Sequence, residues 1–502
     1  MKRVRFLSLI IGAVIVLSAC SDKAKWEVKN AVASFVSNQE ESVGFGYIDI
    51  NALLTKSEIF DVSPIGTVIR QNSERIGASF DLNQNIFYAL DGPLSRKGIP
   101  ERVFAFAQVK NKDSLKTFFN ETGYFFEEEK GMDVYHDMTT AIGIANGIVI
   151  VVTGDFEGEP KKSLMTAFEN CEQKVKSEHI SAILDEKTDV LMAADLKNLY
   201  ATSNTSLTGL PEARKKEIRE MVDESYYSAQ IDFIKGALTV DVNTSRVSDK
   251  LKNAYFFNDG STQDIVEKIG PGAPIMAVTT NMDVAKMEQF MNRFSPQLTK
   301  RLYRSLGMGG FIMQALTADG LASIAKGEIG VAMTALPEMN GSGAMIPALN
   351  AYLTMGKNKD LVKELVHSFA QEGEVEDLGE GFYRYQSALL SIEDQSMILH
   401  SNDSTKANFR VAALKKKEGM EQFGEEPFNL FIDLKEVNEA DMVIGPKELQ
   451  LLFDIASTMT IKANNEGALL RIELLNKEEN VLKQLRDAFK NQLQSNIPSF
   501  AS

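Results

Sequence analysis

Two cysteines and four histidines in 502 residues are all that the chain offers for cross-linking or soft-metal chemistry. So sparse a set leaves little material for zinc sites, iron–sulfur clusters or a disulfide framework. Thirteen prolines and 34 glycines are too few for a collagen-like or low-complexity architecture. Positive charge is also short: 54 Lys and Arg stand against 69 Asp and Glu, a net charge of −15. That balance argues against nucleic acid as a partner, because neutralising phosphates needs a clustered basic surface. What remains is ordinary globular material, 44% hydrophobic and 25% charged, long enough for roughly two to four folding units.

The N-terminus carries an address. Lys2, Arg3 and Arg5 precede an uncharged apolar run from Phe6 to Ala19, fourteen residues long. A bilayer-spanning helix needs about 20, so the layout predicts an export signal over residues 1–19. The run closes on Leu17-Ser18-Ala19-Cys20, which resembles the bacterial lipobox. Small residues let a signal peptidase approach the backbone, and the Cys20 thiol is the nucleophile that accepts a diacylglyceryl group. The resemblance implies two or three acyl chains on Cys20, and two already give stable anchoring. Loss of residues 1–19 removes three positive charges and leaves −18, so the body should stand off anionic lipid on its tether. No later segment has an apolar run of spanning length. Cys171 is then the sole remaining thiol, expected as a small buried residue of a helix around Leu164–Phe168.

Beyond residue 42 the order of segments recurs. Val43–Ile50 matches Ile275–Met282 at an offset of 232, and Phe104–Val109 with Lys110-Asn111-Lys112-Asp113 matches Ala351–Gly356 with Lys357-Asn358-Lys359-Asp360 at 247. Ala193–Lys197 matches Phe431–Lys435 at 238, and Gly236-Ala237-Leu238 matches Gly467-Ala468-Leu469 at 231. Four collinear matches predict a tandem duplication, with insertions such as Gly341–Met345 changing the offset. The expected organisation is a signal over 1–19, a tether over 20–42, a first repeat over 43–257, a linker over 258–273 and a second repeat over 274–502.

Asp49, Asn111, Asp195, Asn281, Asn358 and Asp433 stand where a strand-like segment gives way to an amphipathic one, so they are expected to cap helix N-termini rather than form a ring of acids. Asn146-Gly147 between Ala141–Ile144 and Ile148–Val152 is a strong hairpin signal, preceded by Met132–Tyr135. Phe382–Tyr385, Ala388–Ile392 and Met397–His400 mirror it. Pro211–Asp223 and Val284–Ser305 read as amphipathic helices. Each half is therefore expected to be α+β, a mostly antiparallel sheet with helices on one face.

No catalytic signature emerges. Gly307-Met308-Gly309-Gly310 lacks the Lys-Ser/Thr of a phosphate loop, there is no G-x-S-x-G, and His136, His179, His367 and His400 have no metal-ligand spacing. Acidic runs at Glu127–Glu129 and at Glu372, Glu374, Glu376 and Asp377 precede the two hairpins. Without a calcium-loop pattern they read as solvated faces, and Lys415–Lys417 reads as an exposed helix end. Asp113-Ser114-Leu115 and Asp403-Ser404-Thr405 look like a short O-glycosylation acceptor pattern, and ordinary helix-start chemistry accounts for them as well.

The lipobox, the length, the opening Val43–Leu54 with Lys56-Ser57, and the Lys-Asn-Lys hairpin units resemble an uncharacterised Bacteroidetes family of envelope lipoproteins built on a domain of unknown function. The resemblance implies an outer-membrane or cell-envelope location, periplasmic or surface-facing, and no activity. Cys20 is the one site residue assigned, for lipidation; no catalytic, cofactor or metal residue is assigned, and no cofactor is expected. The leading expectation is a non-enzymatic binding or scaffolding protein, held to the membrane by its lipid and meeting an envelope protein, glycan or apolar ligand. The competitors are a glycan or peptide hydrolase using paired carboxylates, which need about 5 to 9.5 Å between them, and a carrier with an apolar cavity.

Overall fold

The computed structural model describes residues 26–62, 65–95, 98–154, 160–202, 211–294, 321–339, 345–371, 373, 375–385, 388–393, 395–401, 413–440 and 449–495. Cys20 and the signal segment, Gly307–Gly310, Gly341–Ala344, Glu372, Glu374 and Asp403–Thr405 lie outside them. The chain divides into two compact units, Met1–Asn51 with Ser63–Glu186 and Ala52–Val62 with Lys187–Ser502.

Among the described residues the first unit holds seven strands: β1 (Ser42–Ile48), β2 (Ile86–Leu94), β3 (Pro100–Gln108), β4 (Glu127–Glu129), β5 (Met132–His136), β6 (Thr140–Ala145) and β7 (Ile148–Gly154). They pair antiparallel in the order β4-β5-β6-β7-β3-β2-β1. The expected hairpin turn is present, with Asn146 at φ 51° and Gly147 at φ 80°. Two successive positive φ values match the right-handed twist of the strands they join, which is why Asn-Gly is favoured there. Lys130 and Gly131 turn β4 into β5 in the same way, at φ 53° and 79°.

Among the described residues the second unit holds thirteen: β8 (Val190–Asp195), β9 (Tyr226–Ile234), β10 (Ala237–Asn243), β11 (Met276–Asn281), β12 (Ala325–Met339), β13 (Met345–Met355), β14 (Glu376–Gly379), β15 (Phe382–Tyr385), β16 (Ala388–Ile392), β17 (Ser396–His400), β18 (Phe428–Asp433), β19 (Ala456–Ala463) and β20 (Gly467–Leu474). All pairings are antiparallel, in the order β8-β9-β10-β20-β19-β18-β11-β12-β13-β17-β16-β15-β14. The run β14-β15-β16-β17-β13-β12-β11 is the order of the first unit with every strand number raised by ten. Likewise β8-β9-β10 and β18-β19-β20 are each three strands paired in sequence. The class is α+β with antiparallel sheet, as the alternating apolar pattern implied.

Helices lie on both sheet faces, which corrects the expectation of a single covered face. In the first unit a Cβ on Gly143 would come 2.6 Å from Phe168 and 3.1 Å from Leu164 of helix Pro160–Cys171. The neighbouring Ile142 and Ile144 point the other way, into a cluster with Leu115 and Phe119 of helix Lys112–Glu121. Adjacent strand residues face opposite sides, so the sheet is sandwiched. In the second unit Ala277 and Phe431 pack with Ile265 and Val266, while Met276 and Ile432 pack with Leu452, Phe453 and Val481. The strands supplied apolar residues at alternate and at intervening positions, as a doubly covered sheet requires.

Candidate functional site

Most of the residues singled out by sequence have structural partners. Asn111 accepts from Ser114 N at 2.9 Å, Asp195 from Asn198 N at 3.1 Å and Asp433 from Glu436 N at 3.1 Å, so these three cap helices. Burial raises the Asp195 carboxyl above its usual range against the pull of those backbone donors. Asn281 does not cap: helix Val284–Phe294 starts three residues later, its first turn is held by Asp283, which accepts from Lys286 N at 3.0 Å, and Asn281 instead accepts from Asn258 at 2.8 Å.

Cys171 is buried at the end of its helix, and desolvation with the charge of Glu172 pushes its thiol well up, away from nucleophilic ionisation. Glu127–Glu129 form the short strand β4, and Glu376 and Asp377 lie on the short strand β14. Glu129 pairs with Lys161 at 2.6 Å, and Asp377 accepts from Gly379 N at 2.8 Å and lies 3.8 Å from His367. Lys415–Lys417 is not a helix end. Leu414 bridges Gly272 in extended conformation, Lys416 donates to Phe423 O at 3.1 Å, and Lys417 reaches Asp433 at 2.8 Å and Glu436 at 2.6 Å. Desolvation opposes the Lys417 charge, yet the two carboxylates hold its pKa above the ordinary value. The run was drawn into the fold by those carboxylates rather than left in solvent.

Buried acids elsewhere are matched by cations. Asp133 meets Lys112 at 2.7 Å and Lys116 at 2.9 Å; burial works against its charge, and the two lysines outweigh burial and hold the carboxyl low. Asp189 meets Lys56 at 2.5 Å, and Asp91 meets Arg102 at 2.9 Å. Among the described residues no group of three or more His, Cys, Asp and Glu side chains is arranged to hold a metal ion.

Concave chemistry appears where sequence reading did not look. A groove of about 500 Å³ opens at one end of β10, β19 and β20. Asp241, Asn243, Ser245, Glu425, Glu426 and Glu466 line it with Gln422, Lys462 and Asn464, and Val242, Ala468 and Leu469 supply apolar surface. Lys462 is its one cation among the described residues, held by Gln422 and lying 3.8 Å from Glu425. Asn464 donates to Glu426 at 3.0 Å and accepts from Glu466 N at 2.8 Å, which fixes the β19–β20 turn. Next to it Asn465 clamps Phe257 through both backbone groups, at 3.1 and 2.7 Å. Gly467 has to be glycine, since a Cβ there would come 2.1 Å from Val242 O across the β10–β20 pair. The groove is rigid, polar and acid-rich, suited to a neutral polyhydroxyl or cationic segment and hostile to anions. Its β10 part, Asp241–Ser245, lies 177 residues or more from the rest of the lining in the chain, so no local motif announces it.

A second, smaller cleft of about 180 Å³ lies between helix Asp249–Lys252 and helix Val284–Phe294, lined by Lys250, Asn253, Ala254, Lys286, Gln289, Phe290 and Arg293. Here a signal did exist: Lys286, Gln289 and Arg293 fall on one face of an expected helix at spacings of three and four.

No family model matches the sequence, and no curated protein matches it. Among solved structures, crystal form I of TP0453 is similar at 10% identity and TM-score 0.27, covering 48% of this chain and 90% of that one. Crystal form III gives 10% identity and TM-score 0.28 over 47% and 91%, and crystal form IV 11% and 0.27 over 42% and 79%. Scores of this size leave the fold to be read from the chain's own strand pairings.

Proposed function

We propose that the protein is a non-enzymatic binding module of the cell envelope, tethered through lipid on Cys20 and built from a tandem duplication. What supports the duplication is the repeated strand order, since a run of seven strands and a run of three, each found twice in the same succession, are far harder to reach by chance than four short sequence matches. The cross-strand registers refine the correspondence. Phe45, Ala89 and Phe104 lie in line across the first sheet as Ala277, Ala332 and Asn350 do across the second, which sets β3 against β13 at an offset of 246. One extra residue, Gly356, then restores 247 at the Lys-Asn-Lys unit.

The β10–β20 groove carries the binding reading. Its wall of carboxylates, amides and a serine offers acceptors and donors for a polyhydroxyl ligand such as envelope glycan, over an apolar strip of Val242, Ala468 and Leu469. Co-sedimentation of the chain with isolated envelope glycan tests the reading. Retention is expected to fall about ten-fold when Glu425 and Glu466 are both changed to Lys, a loss of about 1.4 kcal/mol. Equal retention of parent and variant contradicts it, and release of soluble sugar from the glycan would replace it with the hydrolase.

A further inference from the structure

We propose that the cleft between helix Asp249–Lys252 and helix Val284–Phe294 binds a phosphate group. The inference is independent of the groove, whose charge is opposite. In a chain of net charge −15 the cleft is lined, among the described residues, by three cations, two amides and one aromatic ring, with no carboxylate. The cations are not equally engaged. Lys250 lies 3.3 Å from Glu220, and Arg293 lies 3.1 Å from Glu217, both on helix Glu212–Met221 beside the cleft. Lys286 makes no ion pair among the described residues, so the cluster keeps an uncompensated positive charge.

Arg293 adds a second, separate observation. One edge of its guanidinium is occupied by Glu217 and by the Met221 sulfur at 3.4 Å, while Nε is buried with no hydrogen-bond partner. A buried donor attached to a cation is costly to leave unmade, and this one has no acceptor among the described residues. Phosphate answers this donor set: it presents several acceptor oxygens to Arg, Lys and amide donors at once, in a volume that the cleft exceeds.

The walls are fixed before any ligand arrives. Ser248 caps the short helix, accepting from Leu251 N at 3.2 Å and donating to Met221 O. Phe290 packs tilted against Phe294 with ring centres 4.6 Å apart and edge-on against Phe256 at 5.6 Å, and Leu251, Val247 and Phe294 share a core with Ile218 and Val222. Donors held in place lose little freedom on binding.

The same chemistry has two sources, free phosphate and the headgroup phosphate of a lipid, and equilibrium dialysis with inorganic phosphate at low ionic strength separates them when joined to vesicle sedimentation. With the full chain we expect one phosphate per molecule, weakened about ten-fold by Lys286→Gln and again by added salt. Lys286 is a surface position, so this variant folds; Arg293→Lys, which keeps the charge and loses the fork, should weaken binding by a similar factor. If vesicles containing phosphatidate hold the chain better than phosphatidylcholine vesicles, and phosphate competes with them, the source is a headgroup; if phosphate binds and vesicles do not compete, it is the free ion. No phosphate and no phosphatidate binding, or binding that Lys286→Gln leaves unchanged, overturns the proposal.

Discussion

The same two rows of the sheet are filled by opposite chemistry in the two units. In the first, Phe45–Ala89–Phe104–Val152–Ala141 and Tyr47–Phe87–Phe106–Ile150–Gly143 run across β1, β2, β3, β7 and β6. Helix Val28–Asn38 lies over them, with Phe35 against Phe104 at 4.8 Å and Phe106 at 5.1 Å. In the second, the rows read Ala277–Ala332–Asn350–His400–Leu389 and Thr279–Gly330–Tyr352–Ile398–Ser391. These rows hold one Phe or Tyr ring against five in the first unit, and Asn350, His400, Thr279 and Ser391 are nonetheless buried, the first three at 0% exposure. The cover has changed with the floor. Ile265 and Ile269 sit so close to Gly330 that a Cβ there would meet both at 2.5 Å. Thr262, Thr279 and Asn429 close a buried hydrogen-bonded triangle, with contacts of 2.7, 2.9 and 3.3 Å. One strand order thus tolerates an aromatic, area-driven core and a small-residue, hydrogen-bonded one, because register is set by pairing and only then filled by side chains.

That contrast can be broken. Phe104→Ala should cost the first unit about 3–5 kcal/mol, read by urea denaturation, because a large buried ring leaves a cavity that its neighbours only partly fill. The second unit should answer to pH instead. Burial lowers the His400 pKa from 6.5 to about 4, so the unfolded chain takes up the proton more readily. Stability from this residue is whole above pH 6.5 and is lost as pH falls from 6.5 toward 4, by about 3 kcal/mol. His400→Leu should flatten that part of the stability–pH curve, and a parent-minus-variant difference that stays constant with pH would contradict the assignment. Gly330→Ala should destabilise by about 1–3 kcal/mol, read by urea denaturation, through its clash with the Cγ2 methyls of Ile265 and Ile269. The smallest effect is expected from Asn111→Ala, about 1 kcal/mol for a helix cap exposed to solvent.

Much of this architecture was legible where chemistry is local. Asn146-Gly147 announced its hairpin because only certain residues accept positive φ, and Asn111, Asp195 and Asp433 announced helix starts because orphan N–H groups need acceptors. Locality also marks the failures. Asn281 and Asp283 are two capping residues within three positions, and only the geometry of the chain decides which N–H groups come within reach. Lys415–Lys417 carries no local trace of Asp433 and Glu436, the partners that hold it extended. Helices on both faces follow from which layers stack, a property of the whole sheet. The groove is further still from local reading, since the β10–β20 pairing alone brings Asp241 beside Leu469 and Asn243 beside Gly467.

The most direct test of the central claim is native mass spectrometry of the chain released from its own envelope. The account predicts a discrete non-covalent mass of glycan type that the Glu425→Lys, Glu466→Lys variant loses, on a polypeptide that begins at an acylated Cys20. A bare chain beginning elsewhere, giving soluble glycan fragments when returned to its envelope, would contradict it.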